Sequence, residues 1–148
     1  MLVNGKSRRF EERKVSHLSV KIYCRVDLEY DWQELTQLKD VSKLGARFAL
    51  ATQTEVGQLL QLTMALPRSF RKFDFASTYY SIWGVVRTVT ETEDVELKLR
   101  LFETSVAFIG KSAPDSFLAD PTMRYDLKPA PSKNGLWIAR ERPRKEIF

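Results

Sequence analysis

The chain has 148 residues, 43% of them hydrophobic and 11% aromatic, which suits one domain with a sizeable packed core. Its net charge of +5 is concentrated early, with seven cations against two carboxylates through Arg25, a bias that invites an anionic partner such as a phosphate, a nucleic acid or a membrane surface. A lone Cys24 excludes an internal disulfide and no apolar leader or run of about 18 apolar residues occurs, so a cytoplasmic, soluble chain without membrane insertion is expected.

Residues 1–14 read as a basic arm without apolar periodicity. From Val15 the pattern has period two: Leu18, Val20, Ile22, Cys24 and Val26 share one face, and Ser19, Lys21, Tyr23 and Arg25 share the other. A half-buried strand alternates in this way. Polar residues 27–31 turn the chain, and a second strand returns over 32–41. Gly45 punctuates, and Ala46, Phe48 and Leu50 against Arg47 and Ala49 give a short third strand. After a turn at 54–57, Leu60, Leu62, Met64 and Leu66 face inward on a fourth strand that Pro67 ends.

The connection over 68–77 carries Phe70, Phe73 and Phe75 among charged residues and reads as a strand extension or a flap over a barrel end, with a partner-docking surface as the sharper alternative. A fifth strand spans 79–90, and Glu91, Glu93 and Asp94 read as a solvated hairpin tip. Val95, Leu97, Leu99 and Leu101 then alternate with Glu96, Lys98 and Arg100, and strand character continues to Ile109. The expected fold is therefore all-β with minor α: a six-stranded antiparallel β-barrel followed by a short C-terminal helix and tail. Ser112 is the expected N-cap of that helix, with Asp115 in the capping-box position, Phe117 and Leu118 packing on the barrel, and Pro121 as the stop. The expected division is an arm over 1–14, barrel and helix over 15–120, and a partly disordered extension over 121–148, in which Leu136, Trp137 and Ile138 are the residues able to dock.

Two short motifs stand out against this frame. Arg9-Phe10-Glu11-Glu12-Arg13 pairs two guanidiniums four residues apart in the basic arm. Asp40-Val41-Ser42-Lys43-Leu44-Gly45 sets a carboxylate and a hydroxyl beside a glycine turn, one strand-turn-strand later. Arg140 and Arg144 repeat the four-residue spacing with no second motif after them. An RxxxR followed by [D/N]xSxxG, in this order and flanking an alternating strand, resembles the PilZ family of receptors for the bacterial second messenger cyclic di-GMP. The resemblance covers roughly residues 8–109. It implies a barrel that binds cyclic di-GMP at Arg9, Arg13, Asp40, Ser42 and Gly45, with Arg8 and Arg47 as secondary candidates. It also implies a non-catalytic regulator that moves its N-terminal arm on binding and alters contacts with a protein partner in motility, adhesion or exopolysaccharide output. Many members end their last strand with Gly-Val-x-Phe. Here the segment is Ser105-Val106-Ala107-Phe108, a difference that touches packing more than the site.

The residue types suit such a ligand. An arginine fork bonds a phosphate bidentately, matches guanine O6 and N7, and stacks on a purine face. A carboxylate such as Asp40 accepts from the N1–H and exocyclic amine of guanine, a pattern adenine does not present. Ser42 adds a short donor and acceptor, and Gly45 permits positive φ and close backbone approach. Seen separately, the arginine arm also reads as a salt-bridged solvated segment, and the Asp40 motif as an Asx turn.

Catalysis is not expected. His17 is the only histidine and falls on the polar face, Cys24 shares parity with core residues, and no metal-ligand cluster, Gly-rich phosphate loop or carboxylate pair is present. No cofactor beyond the ligand is called for. Two alternatives remain: a ligand-free adaptor on the same barrel, or a basic barrel binding single-stranded nucleic acid. A carboxylate in a phosphate-tracking groove disfavours the second.

Overall fold

The computed structural model describes residues 17–128 and 135–143. Arg8, Arg9 and Arg13 of the arm thus lie outside the described residues. Six strands close into an antiparallel barrel: β1 (Ser19–Arg25), β2 (Asp31–Val41), β3 (Gly45–Leu50), β4 (Leu59–Met64), β5 (Tyr80–Asp94) and β6 (Leu99–Gly110). The order around the wall is β1–β2–β3–β6–β5–β4, and β4 pairs back onto β1. The alternation dictates which residues fill it: Val20, Ile22 and Cys24 from β1, Phe48 and Leu50 from β3, and Leu60, Leu62 and Met64 from β4 are buried in one core. This is the barrel expected from the periodicity.

A short α-helix α1 (Asp115–Ala119) follows, then β7 (Tyr125–Leu127), which pairs with β8 (Ala139–Glu141) as a small separate sheet. Phe117 and Tyr125 form a second cluster with Leu59, Trp83 and Val85 on the outside of the wall. Leu136 enters the barrel core itself; of the apolar triplet of the tail, Trp137 is half-buried and Ile138 stays exposed. The helix differs from expectation in detail. Its N-cap is Pro114 without a side-chain cap bond, not Ser112. Five residues bury one side only, so Phe117 is covered and Leu118 is exposed.

The largest difference is at the β5–β6 turn. Glu91, Glu93 and Asp94 are not the tip; β5 runs on through them, and Val95, Leu97 and Leu99 are exposed rather than inward. Two local causes are visible. Asp94 Oδ1 accepts both the Glu96 and the Leu97 N–H at 3.1 Å, an Asx turn that fixes the reversal four residues later than the acidic run suggests. Arg100 bonds Glu91 across the two strands at 2.6 Å, neutralising part of the run inside the ladder. The distal hairpin therefore projects beyond the wall, where an alternating pattern has no core to face.

The 68–77 connection caps a barrel end, as its aromatic residues suggest. Phe70 and Phe73 pack against the core. At its centre Arg71 is buried and donates to the carbonyls of Leu66, Asp74, Ser77 and Thr78.

Candidate functional site

β2 carries the feature that builds the site. Strand alternation would put Leu38 and Asp40 on the same, inward face. The register between β2 and β3 instead shifts between Leu38, opposite Phe48, and Asp40, opposite Arg47. Lys39 is the extra residue of a β-bulge, and the bulge reverses parity downstream. Leu38 and Val41 both point inward, while Lys39 and Asp40 are both exposed. A carboxylate that would otherwise face an apolar core is thereby turned to the outside.

Outside, it joins a lateral row of polar groups. Asp40 is opposite Arg47 on β3, Arg47 opposite Ser105 on β6, and Ser105 opposite Thr88 on β5. Arg47 Nη2 bonds the Asp40 carboxylate at 2.8 Å, while its Nη1 bonds Glu103 at 3.2 Å. Lys39 approaches Glu103 at 3.6 Å. Arg47, read from sequence as a secondary ligand contact, is held between two carboxylates. It orients Asp40, whose remaining lone pairs face solvent.

The turn after Asp40 is closed by the motif's own residues. The Ser42 N–H donates to the Gly45 carbonyl at 2.9 Å, and Ser42 Oγ accepts from the Leu44 N–H at 3.1 Å. The Leu44 carbonyl in turn accepts from the Phe108 N–H at 2.8 Å, which ties the turn to β6. Gly45 uses one of the two properties expected of it, close backbone approach, and not positive φ. It is not among the positive-φ glycines, but a Cβ there would lie 2.4 Å from the Val106 carbonyl oxygen. The close approach it permits is to the barrel's own β6.

The first described residue lies beside this corner. The His17 N–H donates to the Leu38 carbonyl and Leu18 accepts from the Leu38 N–H, both at 2.8 Å. The first described residue is thus fastened two positions from Asp40. His17 itself is exposed and Cys24 fully buried, as their parity indicates. Burial pushes the Cys24 thiol up to about 12, so it has no nucleophilic character at neutral pH. Among the described residues no group of three or more His, Cys, Asp or Glu could hold a metal ion. No helix among them is long and apolar enough to cross a membrane.

Two neighbours of the row were not read as site residues from sequence. Trp137 donates its backbone N–H to the Phe108 carbonyl at 2.9 Å, and the Arg87 guanidinium lies 5.7 Å from its ring centroid. The half-buried indole borders the end of β6. Its only sequence signal is an apolar triplet in a polar tail.

No family model matches the chain, and no curated protein matches it. Among solved structures it is similar to MrkH of K. pneumonia in its apo state, at 16% identity and a TM-score of 0.47. A second crystal structure of MrkH gives 16% identity and 0.45. In each case 66% of this chain is covered, and the chain spans about two fifths of the length of MrkH, 41% and 40% respectively.

Proposed function

We propose that this chain is a non-catalytic, cytoplasmic receptor of PilZ type for cyclic di-GMP. In this reading the ligand lies on the outer wall of the barrel. Arg9 and Arg13, with Arg8 in support, close over its phosphates and purines. Asp40 selects guanine, Ser42 and the Gly45 turn shape the corner, and Arg47 keeps the Asp40 carboxylate aimed outward. Closure of the arm changes the surface offered to a protein partner in motility, adhesion or exopolysaccharide output.

The observation that carries the reading is the outward turn of Asp40 next to the root of the arm. Arg13 precedes His17 by four residues, so chain geometry confines its Cα to within about 14 Å of His17, which is bonded to Leu38. Arg13 is therefore within chain reach of the corner that carries Asp40. Each good bidentate contact is worth roughly 1–3 kcal/mol. Two arginines and one aspartate supply roughly 3–9 kcal/mol before the ordering cost of the arm. Micromolar binding needs about 8 kcal/mol, which only the top of that range supplies, so picomolar affinity is not expected.

A second reading has one observation in its favour: Ser42 and Gly45 are both accounted for by the turn and by β6. A ligand-free adaptor would need them too. Isothermal titration with cyclic di-GMP decides. Wild type should bind. Arg9→Ala or Arg13→Ala should abolish the heat while leaving the ligand-free melting temperature unchanged, and Asp40→Ala should weaken binding and erode the preference for guanine over adenine. Wild-type affinity in Arg13→Ala would overturn the site. Absence of any response in wild type, with steeply salt-dependent oligonucleotide binding instead, would replace the receptor by a single-strand binder.

A further inference from the structure

The projecting hairpin leaves part of β5 without a neighbour. Within the barrel, β5 pairs with β4 only from Tyr80 to Val85. Val86 is then closed off by the 54–58 turn, through Gly57 N–H to the Val86 carbonyl and Val86 N–H to the Gln58 carbonyl. From Arg87 to Asp94, β5 pairs with β6 on one side, and no strand among the described residues pairs with the other. Edges of this kind are ordinarily blunted by lysine, proline or a bulge. The segment Arg87-Thr88-Val89-Thr90-Glu91-Thr92-Glu93-Asp94 contains neither lysine nor proline; its bulge, at Arg87, sits where the open edge begins, its charges are of both signs, and the ladder is regular from Thr88 to Asp94. Its β-branched alternation favours an extended strand.

We propose that this open edge pairs antiparallel with the same edge of a second copy of the chain, about a two-fold axis at Thr90. A two-fold perpendicular to the sheet brings residues of like parity together, and the acidic groups select among the possible registers. Centring on Glu91 opposes two carboxylates directly. Centring on Thr90 places Thr88 opposite Thr92, Glu91 opposite Val89, and Glu93 opposite the exposed Arg87, so no carboxylate faces another.

A second feature fits the same arrangement. Val95 and Leu97 at the hairpin tip are 82% and 65% exposed, and Val56, beside the start of the open edge, is 48% exposed. In the Thr90-centred register each tip lies against the partner's 54–58 turn. Apolar residues that have no place in one copy then have one in the pair. The shared edge, seven residues at about 3.4 Å each, is roughly 24 Å long.

Light scattering over a concentration series through the micromolar range should show the mass doubling, and Thr90→Lys, which sets two ammonium groups against each other at the axis, should hold it at one copy. Oxidised glutathione should convert Thr90→Cys to a covalent dimer, because residues paired across an antiparallel ladder fall in the Cα separation a disulfide needs. Thr92→Cys should not cross-link to itself, being opposite Thr88. The native thiol, Cys24, is buried and does not interfere. A wild type that stays single at every concentration would sink the proposal. So would a dimer indifferent to Thr90→Lys, or a Thr92→Cys chain that cross-links as readily as Thr90→Cys.

Discussion

At Gly45 the residue type is dictated by contact distance. An added Cβ would meet a backbone oxygen at 2.4 Å, and a backbone on a paired strand cannot swing aside as a flexible side chain can. Gly45→Ala should therefore destabilise the ligand-free barrel by about 1–3 kcal/mol, read as a lower urea midpoint at unchanged slope. Loss of ligand response in that variant would report the fold and not a lost contact. Cys24 gives a prediction of a different kind. Its thiol is buried and accepts from Gln58 Nε2 at 3.2 Å, and burial raises it to about 12. An unfolded-chain thiol ionises near 8.5. The neutral thiol thus favours the fold in full below about pH 8.5, and that contribution falls as pH rises towards about 12, by up to about 1.4 kcal/mol per pH unit. Burial likewise raises Tyr23, Tyr80 and Tyr125, which act in the same sense at higher pH. Denaturation of wild type and Cys24→Ala between about pH 8 and about pH 10 isolates the thiol: the wild-type stability should fall more steeply.

At the scale of elements, short polar contacts decide where strands end and how loops hold. The Asx turn at Asp94 and the Arg100–Glu91 pair move the hairpin tip past the acidic run. The Lys39 bulge moves Asp40 to the outer face. Neither device has a periodic signature, so the alternation that located the strands could not locate these reversals. The connection over 68–77 depends on Arg71, whose guanidinium serves four carbonyls at once, with Nε to Leu66 at 2.7 Å and Nη1 to Asp74 at 2.6 Å. A lysine ammonium, compact and without the planar fork, cannot reach all four. Arg71→Lys should cost about 2–4 kcal/mol in a denaturant titration, because buried carbonyls lose their donors. Tyr80, whose hydroxyl accepts from the Lys72 N–H at 3.2 Å, should then show greater solvent access in fluorescence quenching.

At the scale of the molecule, the barrel is completed by residues far along the chain. Leu136 is buried among residues of the barrel core, including Phe48 and Phe108, and β8 pairs with β7 through Ala139 opposite Leu127. Leu136→Ala should lower global stability by about 2–5 kcal/mol in one cooperative transition; a separate early transition with the barrel intact would show that the tail packs on without supporting it. The sequence by itself determined the six strands in outline, the inward faces of β1, β3 and β4, the closed all-β class and the two motifs, because alternation and turn residues act locally and leave a period that can be counted. Only the tertiary structure decided that Asp40 faces outward, that Gly45 is required by β6, that Arg47 clamps the carboxylate, and that Trp137 and Leu136 return to the barrel. Those outcomes depend on register shifts and contacts between segments distant in sequence, which no local pattern encodes.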